Sequence, residues 1–208
     1  MKVITFINQK GGVGKTTLAL SMASAWHLEG RSVAVIDADP QQSAVAWKQC
    51  QKEGSPLFDM EVYSIDNQND FEDLSSLPEE YIIIDTAGND TPLTSAALKV
   101  SDMVIIPIKP SAMDAKASIN TYRKVKAENK PCLYILNQTI QNSTLVDETL
   151  NALRDSGVPH LERHVGTYIQ FVRTLGNGET PFSDQPYSMA SVGLKKVMSE
   201  VEGALNGS

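Results

Sequence analysis

The stretch Gln9-Lys10-Gly11-Gly12-Val13-Gly14-Lys15-Thr16-Thr17 decides the fold class of this 208-residue chain. It follows an apolar run at residues 3–7 and leads into a helical pattern that begins at Lys15. A strand, a glycine-rich loop and a helix in this order form a phosphate-binding loop (P-loop), in which backbone N–H groups and the start of the helix face one anion. Lys15 is then placed to reach the terminal phosphates of a nucleotide, and the Thr16 hydroxyl to bind Mg²⁺.

The length and composition predict one globular domain. With 208 residues and an apolar fraction of 41%, the chain is long enough to bury a single core. No apolar run approaches the roughly 18 residues that a membrane helix needs. Met1 and Lys2 lead directly into the first strand, so we expect a single P-loop domain at residues 1–208, with neither a signal peptide nor a helix-turn-helix module ahead of it.

The net charge of −7 and the isoelectric point near 5.0 argue against a surface coated in positive charge. They do not exclude a local basic patch, because affinity for DNA depends on the charge that faces the phosphates. Cys50 and Cys132 form no Cys-x-x-Cys pair, which predicts free thiols in a reducing cytoplasm.

Apolar strand patterns alternate with helical patterns along the whole chain. This alternation predicts an α/β fold with a doubly wound, mostly parallel sheet and helices on both faces. The predicted strands cover residues 3–8, 32–37, 81–85, 103–108 and 132–137, with a short strand at 60–64. The predicted helices cover residues 15–29, 42–53, 92–100, 114–128, 145–155 and 192–205.

Two carboxylates follow the second main strand. Asp37 and Asp39 stand two residues apart on an extended chain, so their side chains point the same way. The carboxyl end of a parallel strand faces the ligand crevice of a doubly wound sheet. Asp39 also precedes Pro40, and aspartate in that position often caps a helix. The pattern therefore allows Asp39 a role in the site, a role as a helix cap, or both.

Two further strands end on polar side chains. Ile82-Ile83-Ile84-Asp85 reads as a Walker B strand, in which the buried run delivers Asp85 to the magnesium shell, usually through water because Mg²⁺ dehydrates reluctantly. Asn137 offers both a donor and an acceptor to the edge of a base, although an asparagine that only forms a turn would give the same pattern.

The P-loop departs from the general pattern in a way that points to one family. Gln9 stands where the general P-loop has glycine, and Lys10 adds a second lysine at the head of the loop. The form Lys-Gly-Gly-Val-Gly-Lys-Thr resembles the deviant Walker A motif of the ParA/MinD family of ATPases. The resemblance covers about the first 140 residues well. It departs after Asp85, where Thr86 replaces the proline that is frequent in the family.

This resemblance implies the P-loop NTPase fold and the cofactors ATP and Mg²⁺. In such proteins the early lysine, here Lys10, reaches across a homodimer to the nucleotide of the partner subunit. Lys15 would act on the terminal phosphates, and Asp39 would position the attacking water. Three residues would contribute to the metal site: Thr16, Asp37 and Asp85.

The nucleotide contacts follow from the same resemblance. The triphosphate would be held by Lys10, Gly11, Gly12, Val13, Gly14, Lys15, Thr16 and Thr17. The base would lie near Asn137 and near Pro107, which belongs to a proline-rich segment that resembles the one after the fourth strand of ParA-like proteins.

The resemblance is to the small ParA type, similar to ParF, and it implies a partition or positioning ATPase. Such a protein would close into a homodimer with ATP, bind DNA without sequence preference, and hydrolyse ATP slowly until a small ParB-like or adaptor protein stimulates it. It would be cytoplasmic, and associated with the nucleoid in its ATP-bound state.

The DNA surface of ParA-like proteins lies toward the C-terminal part, where basic residues must converge on one face. The candidates there are Arg163, Arg173, Lys195 and Lys196. A second basic group on one predicted helix consists of Arg123, Lys124 and Lys126. Ordinary solvated surface charges would give the same pattern.

Three alternatives belong to the same superfamily. A MinD-like division-site regulator would need a membrane anchor, but Glu200 and Glu202 dilute the basic face of the last predicted helix, so we expect that helix to pack on the core. An iron–sulfur carrier would need paired cysteines. A biosynthetic ligase resembling dethiobiotin synthetase would need neither Lys10 nor a protein partner.

Overall fold

Runs of valine and isoleucine form a six-stranded sheet in which every strand pair is parallel. The computed structural model describes residues 1–207, and Ser208, the last residue of the predicted domain, lies outside them. The strands are β1 (Lys2–Phe6), β2 (Val33–Ala38), β3 (Glu61–Ser64), β4 (Tyr81–Thr86), β5 (Met103–Ile108) and β6 (Cys132–Leu136). Their order across the sheet is β3-β2-β4-β1-β5-β6. The predicted strands and the doubly wound fold class are confirmed.

The helices of the described residues are α1 (Lys15–Leu28), α2 (Ser43–Gln49), α3 (Pro92–Val100), α4 (Ala112–Ala127), α5 (Leu145–Asp155), α6 (Ile169–Leu175), α7 (Pro181–Asp184) and α8 (Met189–Asn206). A 3₁₀-helix covers Gln68–Ser76. The six predicted helices are confirmed, but α2 ends at Gln49 because the chain turns there toward Gly54, whose φ is +86°. The 3₁₀-helix, α6 and α7 were not predicted, since short or polar helices leave little apolar periodicity.

Helices cover both faces of the sheet, which explains why the strand residues are apolar without alternation. On one face, α1, α2, α7 and α8 pack over strand residues that include Ile4, Val35 and Ile83. On the other face, the strand residues next in sequence to these, including Val3 and Ile82, are covered by α3, α4, α5 and the 3₁₀-helix.

The last helix packs on the core, as predicted. The apolar side of α8 is buried against α1 and the sheet through Leu194, Val197, Met198, Val201 and Leu205. Its other anchor is polar, because the Trp26 indole N–H donates to the Glu202 carboxylate. Within residues 1–207, none of the helices combines the length and the hydropathy needed to cross a membrane.

A segment beyond β6 extends the carboxyl edge of the sheet. Residues 160–167 run parallel to β6, with isolated bridges from Tyr134 to His160 and from Thr139 to Gly166. The Val165 N–H donates to the Leu136 carbonyl at 2.9 Å. Because all strands are parallel, this segment and the loops that follow β1, β2, β4, β5 and β6 meet at one edge, with β1 at the centre between β4 and β5.

The close approach between the C-terminal part and α2 yields a stability prediction. A Cβ on Gly178, whose φ is +72°, would lie 2.5 Å from the Gln51 nitrogen. Gly178→Ala should therefore lower the free energy of unfolding by at least about 2 kcal/mol, from both the contact and the backbone strain. Gly203→Ala is the matched control, because this glycine lies exposed in α8 with no heavy atom within 4 Å of the added Cβ. It should raise stability by roughly 0.5 kcal/mol. Urea unfolding measures both, and equal effects would contradict the packing at Gly178.

Candidate functional site

The P-loop leaves β1 in a shape that two glycines require. Gly12 has a φ of 70° and Gly14 a φ of 95°, both in the left-handed region that other residues rarely adopt. Gly14 is also the N-cap of α1, and no side chain caps this helix. The N–H groups of the first turn of α1 therefore stay available for an anion at the helix start.

Three side chains hold the loop from outside. Asn8 donates from Nδ2 to the Pro107 carbonyl at 2.7 Å and accepts the Lys10 N–H at 2.9 Å. Directly after β6, Asn137 donates to the Val13 carbonyl at 2.8 Å. From the next position, Gln138 donates to the Gly12 carbonyl at 3.0 Å. The loop conformation is thus tied to β5 and β6 by hydrogen bonds within the protein itself.

The contact with Asn137 explains why position 14 must be glycine. A Cβ on Gly14 would lie 2.2 Å from Asn137 Nδ2. Asn137 is buried, and its amide nitrogen is committed to the P-loop. Its contact with a base stays a prediction. Pro107, the other predicted base contact, is buried within β5, and its carbonyl accepts from Asn8.

Opposite charges are buried together behind the loop. Lys15 is 7% exposed, and burial lowers the pKa of its ammonium, while Asp85 and Asp39 partly offset this effect. Asp85 is fully buried at the end of β4, and burial raises its pKa to about 7, although the neighbouring Thr16 hydroxyl and Lys15 lower it. Neither carboxylate oxygen of Asp85 has a hydrogen-bond partner within residues 1–207.

This arrangement fits a magnesium ion. A buried carboxylate without hydrogen-bond partners is costly unless a cation or a donor reaches it. Thr16 supplies a hydroxyl beside Asp85, and Mg²⁺ commonly takes its remaining ligands from water and phosphate oxygens. Within the described residues, no group of three or more His, Cys, Asp or Glu side chains converges as a cage, so the protein alone does not supply a full set of ligands.

The two carboxylates after β2 have different surroundings. Asp37 is fully buried and accepts the N–H groups of Ala44 at 2.8 Å, Val45 at 3.0 Å and Asp39 at 3.1 Å. Asp37, rather than Asp39, therefore holds the first turn of α2. Burial raises the pKa of the Asp37 carboxyl, and these N–H groups oppose the rise. A contribution to the metal stays a prediction for Asp37, whose oxygens already accept these bonds.

Asp39 lies at the mouth of the site. It is partly exposed, and its Oδ1 accepts the Gln41 N–H at 2.9 Å. Its charge partly offsets the effect of burial, which lowers the pKa of Lys15. Within residues 1–207, the other carboxylate oxygen of Asp39 accepts no hydrogen bond. This geometry is compatible with the predicted contact to water.

Lys10 binds within its own chain. Its Nζ lies 2.5 Å from Asp114 Oδ1, and its side chain stays 44% exposed. Asp114 is buried at the start of α4, where the Ser111 hydroxyl donates to it at 2.7 Å. Burial alone would raise the pKa of Asp114, but Lys10 and Ser111 hold it below the ordinary value. Nothing in the local sequence links Asp114 to Lys10, so this ion pair could not be predicted from the sequence.

A cavity opens beside the P-loop. It has a volume of about 290 Å³ and is formed by Thr17, Asn137, Gln138, Gly166, Thr167, Tyr168, Phe171, Val172 and Leu175. Most of its apolar surface comes from α6 and the residue before it, which sequence reasoning missed. The aromatic pattern at residues 168–172 was a signal, but only the pairing of segment 160–167 with β6 brings it to the site.

The structure places the four predicted DNA residues on the C-terminal part of the chain. Arg163 and Lys196 line a cleft between segment 160–167 and α8. Lys196 also lines a neighbouring groove together with Lys195, which pairs with Glu29 at 3.1 Å. Arg173 is exposed on α6 and lines neither space, and the contact of these residues with DNA stays a prediction.

The buried Asp85 carboxylate gives a pH prediction. Its folded pKa of about 7 lies above the ordinary value of 3.8, so its contribution to stability is full at acidic pH and is lost as pH rises through 7. Asp85→Asn should raise the free energy of unfolding of the ligand-free protein by roughly 2–4 kcal/mol at about pH 8, but by much less at about pH 4. Urea unfolding at several pH values measures this difference. The control Asp66→Asn removes an exposed carboxylate. A gain for Asp85→Asn that does not depend on pH would contradict the prediction.

Comparisons with known proteins show the family to which the chain belongs. The family model described as the CobQ/CobB/MinD/ParA nucleotide binding domain matches residues 4–182. Protein VirC1 of Rhizobium rhizogenes is 30% identical over 130 residues, which are 60% of this chain but only 56% of VirC1. Maintenance of carboxysome distribution protein A of Gloeobacter kilaueensis is 27% identical over 171 residues, or 80% of this chain and 77% of that protein.

A solved structure shows the same fold. A candidate plasmid partition protein from Borrelia burgdorferi, bound to AMPPNP, superimposes with a TM-score of 0.74 at 20% identity, over 96% of this chain and 99% of the other. At this identity the likeness concerns the fold alone. Because the family model matches most of the chain, the predicted resemblance is confirmed, and the protein belongs to the CobQ/CobB/MinD/ParA family of nucleotide-binding domains.

Proposed function

We propose that this protein is a ParA-like ATPase that segregates or positions a cargo such as a plasmid, a chromosome or a protein organelle. The observation that carries the proposal is the P-loop with Lys15 and Asp85 buried behind it and Lys10 at its head. Buried charges without full compensation favour a charged ligand, and triphosphate with Mg²⁺ complements both signs. The partition and positioning proteins among the relatives support the choice within the family.

The reaction is hydrolysis of the bond between the β- and γ-phosphates of ATP. Water would attack the γ-phosphorus and lose a proton to the solvent, the bond from this phosphorus to the bridging oxygen would break, and ADP would leave with the electron pair of that bond. Thr16 and Asp85 would hold Mg²⁺, and the bound metal would neutralise charge on the phosphate oxygens. Lys15 would stabilise the charge that develops on the phosphates, and catalysis by such sites rests on positioning and electrostatics. Asp39 would orient the water from the mouth of the site.

The base would occupy the cavity beside Thr17. Its wall of Tyr168, Phe171 and Val172 offers apolar contact to an aromatic ring, and the polar Gln138 lies at its edge. Asn137 supports this pocket by fixing the neighbouring P-loop carbonyl.

ATP would close a homodimer through the carboxyl edge of the sheet. Large apolar side chains are exposed around this edge, including Met113 at 82%, Ile140 at 69% and Val172 at 71%. Exposed apolar groups that cluster around a site commonly mark an interface. In the dimer Lys10 would leave Asp114 and contact the nucleotide of the partner subunit. In the monomer, Lys10 would thus stay bound to Asp114 until the dimer forms.

The dimer would bind DNA without sequence preference, and a small ParB-like or adaptor protein would stimulate a slow basal hydrolysis. Doubling the number of basic contacts raises non-specific affinity steeply, so dimerisation would switch DNA binding on. The protein would be cytoplasmic and nucleoid-associated while it carries ATP. Turnover with water as the only acceptor distinguishes this function from that of a biosynthetic ligase of the same fold.

The two lysines of the P-loop should separate binding from dimerisation. Lys15→Ala removes the buried ammonium and should weaken ATP·Mg²⁺ binding by about a hundredfold or more. Lys10→Ala is the matched control at the other end of the loop, and it should bind ATP as a monomer but fail to dimerise. Calorimetric titration and light scattering measure the two properties. Unchanged ATP affinity in Lys15→Ala would contradict the role of the P-loop in nucleotide binding. If Lys10→Ala still forms a dimer, Lys10 has no role in dimerisation.

Asp39 should matter for turnover alone. Asp39→Ala should bind ATP and accumulate as the dimer, with hydrolysis reduced by about a hundredfold or more, because the water loses its orienting carboxylate. The fold should persist, since the first turn of α2 is held by Asp37. Phosphate release measured on the purified dimer tests this prediction. Turnover at the wild-type rate would leave Asp39 with only its contact to Gln41.

A further inference from the structure

The two edges of the sheet differ in what covers them. At the β6 edge, segment 160–167 adds further pairing, and the Val165 N–H donates to the Leu136 carbonyl. At the other edge, β3 pairs with β2 alone, and no strand within residues 1–207 continues the sheet beyond it. An open edge of this kind can accept a further strand.

The register of β3 shows which of its backbone groups face outward. Ser64 is the partner of Asp37, and the Ile65 N–H donates to the Asp37 carbonyl at 3.0 Å. Along a strand, the backbone groups of alternate residues point to the same neighbouring strand. Tyr63 and Ile65 therefore face β2, whereas the N–H and C=O groups of Val62 and Ser64 point away from it. These four groups make no backbone hydrogen bond to any other part of residues 1–207.

The side chains at this edge offer apolar contact. Val62 and Tyr63 are half-buried on opposite faces of the sheet, where each packs against a different part of the core. The Phe58 ring, shortly before β3, is 46% exposed. Its ring and its carbonyl engage the ammonium of Lys48, which comes from α2. A strand that pairs with β3 would therefore bury apolar side chains as well as form backbone hydrogen bonds.

The charge of the chain around β3 is negative. Segment 53–80, which contains β3, holds nine of the 25 acidic residues and none of the 18 lysines and arginines. It outweighs the net charge of −7, so the rest of the chain is slightly basic. Asp59, Glu61 and Asp66 lie in β3 or within two residues of it, and all three are exposed. Within residues 1–207, none of these three carboxylates makes an ion pair.

These charges decide which kind of strand fits the edge. Like charges on paired strands are destabilising, so the exposed carboxylates disfavour pairing with a second copy of β3 or with another acidic strand. We propose that the outer edge of β3 binds a basic, extended segment of a partner protein, which adds to the sheet as a seventh strand. Backbone hydrogen bonds to Val62 and Ser64 hold the segment, and lysine or arginine side chains beside Glu61 select it. The inference goes beyond the proposed function, because this edge requires neither nucleotide nor a dimer.

Fluorescence anisotropy with a short labelled peptide that alternates arginine and valine tests the docking on the full chain without nucleotide. The wild-type protein should bind this basic peptide at low salt, and a peptide that alternates glutamate and valine should not bind. A fully N-methylated form of the basic peptide keeps the charge but has no backbone N–H to donate, so it should bind at least about tenfold more weakly. Equal binding of the methylated and unmethylated peptides would overturn the proposal, as would a wild-type protein that binds neither.

Proline at position 64 tests the same hydrogen bonds from the side of the protein. Proline is tolerated on an edge strand where the missing N–H faces solvent, so Ser64→Pro should keep β3 paired with β2. It should weaken binding of the basic peptide by about tenfold, because it removes an outward donor and its ring obstructs the incoming strand. Ser64→Ala is the matched control, since it loses the hydroxyl that accepts from Gln42 Nε2 at 3.0 Å but keeps the N–H. This control should stay within about twofold of wild type. Wild-type affinity in Ser64→Pro would contradict strand pairing.

A second pair of variants separates the edge from overall charge. Glu61→Gln should weaken binding of the basic peptide by about threefold, the effect expected of an exposed ion pair. Asp155→Asn makes the same change of net charge at an exposed position on α5, outside segment 53–80, and should change the affinity by less than about twofold. Equal losses in the two variants would show that net charge alone attracts the peptide, and would overturn the proposal.

Amide hydrogen exchange of the wild-type protein gives a readout that does not depend on any variant. In the free protein, the N–H groups of Val62 and Ser64 should exchange rapidly, whereas those of Tyr63 and Ile65 should exchange slowly because they face β2. The basic peptide should slow the exchange of Val62 and Ser64. If the peptide binds but leaves these two amides unprotected, it docks elsewhere and the proposal is wrong. Protection that rises with protein concentration in the absence of peptide would make this edge a contact between copies of the chain, and would also overturn the proposal.

Discussion

Opposite charges buried at the carboxyl edge of a parallel sheet are the constraint on which this structure depends. Lys15 and Asp85 sit behind the P-loop with little solvent, and the carboxylate of Asp85 lacks a hydrogen-bond partner within residues 1–207. Taking such groups out of water is costly, and their mutual attraction offsets only part of that cost. In the proposed function, the remaining imbalance would favour a ligand that brings both a cation and an anion.

The rest of the fold keeps these charges in place without the ligand. The strand order puts β1 between β4 and β5, so the loop that carries Lys15 leaves the strand adjacent to the one that carries Asp85. The P-loop is then tied down by Asn8 on one side and by Asn137 on the other. Helices on both faces bury the central strands. A preformed cradle of this kind lowers the cost of ordering when nucleotide binds.

The sequence predicted the features that depend on short stretches of residues. The P-loop, the Walker B strand that carries Asp85, and the alternation of strands and helices all follow from short patterns, and the structure contains each of them. Asp37 shows the limit of this reasoning, because the pattern allowed Asp39 a role as a helix cap, and only the turn of the chain shows that Asp37 reaches the first turn of α2.

The features that were missed depend on contacts between distant parts of the chain. The pair between Lys10 and Asp114 joins positions about a hundred residues apart, and no short pattern encodes it. The cavity beside the P-loop depends on segment 160–167, which pairs with β6 and the residues after it through isolated bridges and leaves no strand pattern. The basic residues could be read from the sequence, but the cleft that Arg163 and Lys196 line together could not.

Lys10 connects the monomer to the proposed switch, since the same ammonium cannot bind Asp114 and the nucleotide of a partner at once. Turnover by a mixture of Lys10→Ala and Asp39→Ala chains tests this relation most directly. In a mixed dimer, the site of the Lys10→Ala chain keeps its own Asp39 and receives Lys10 from the partner, so it is complete only if Lys10 acts across the interface. We expect each variant alone to be nearly inactive and the mixture to recover a substantial part of wild-type hydrolysis. A mixture no more active than the sum of its components, with mixed dimers present by native mass spectrometry, would contradict a role for Lys10 in the partner's site.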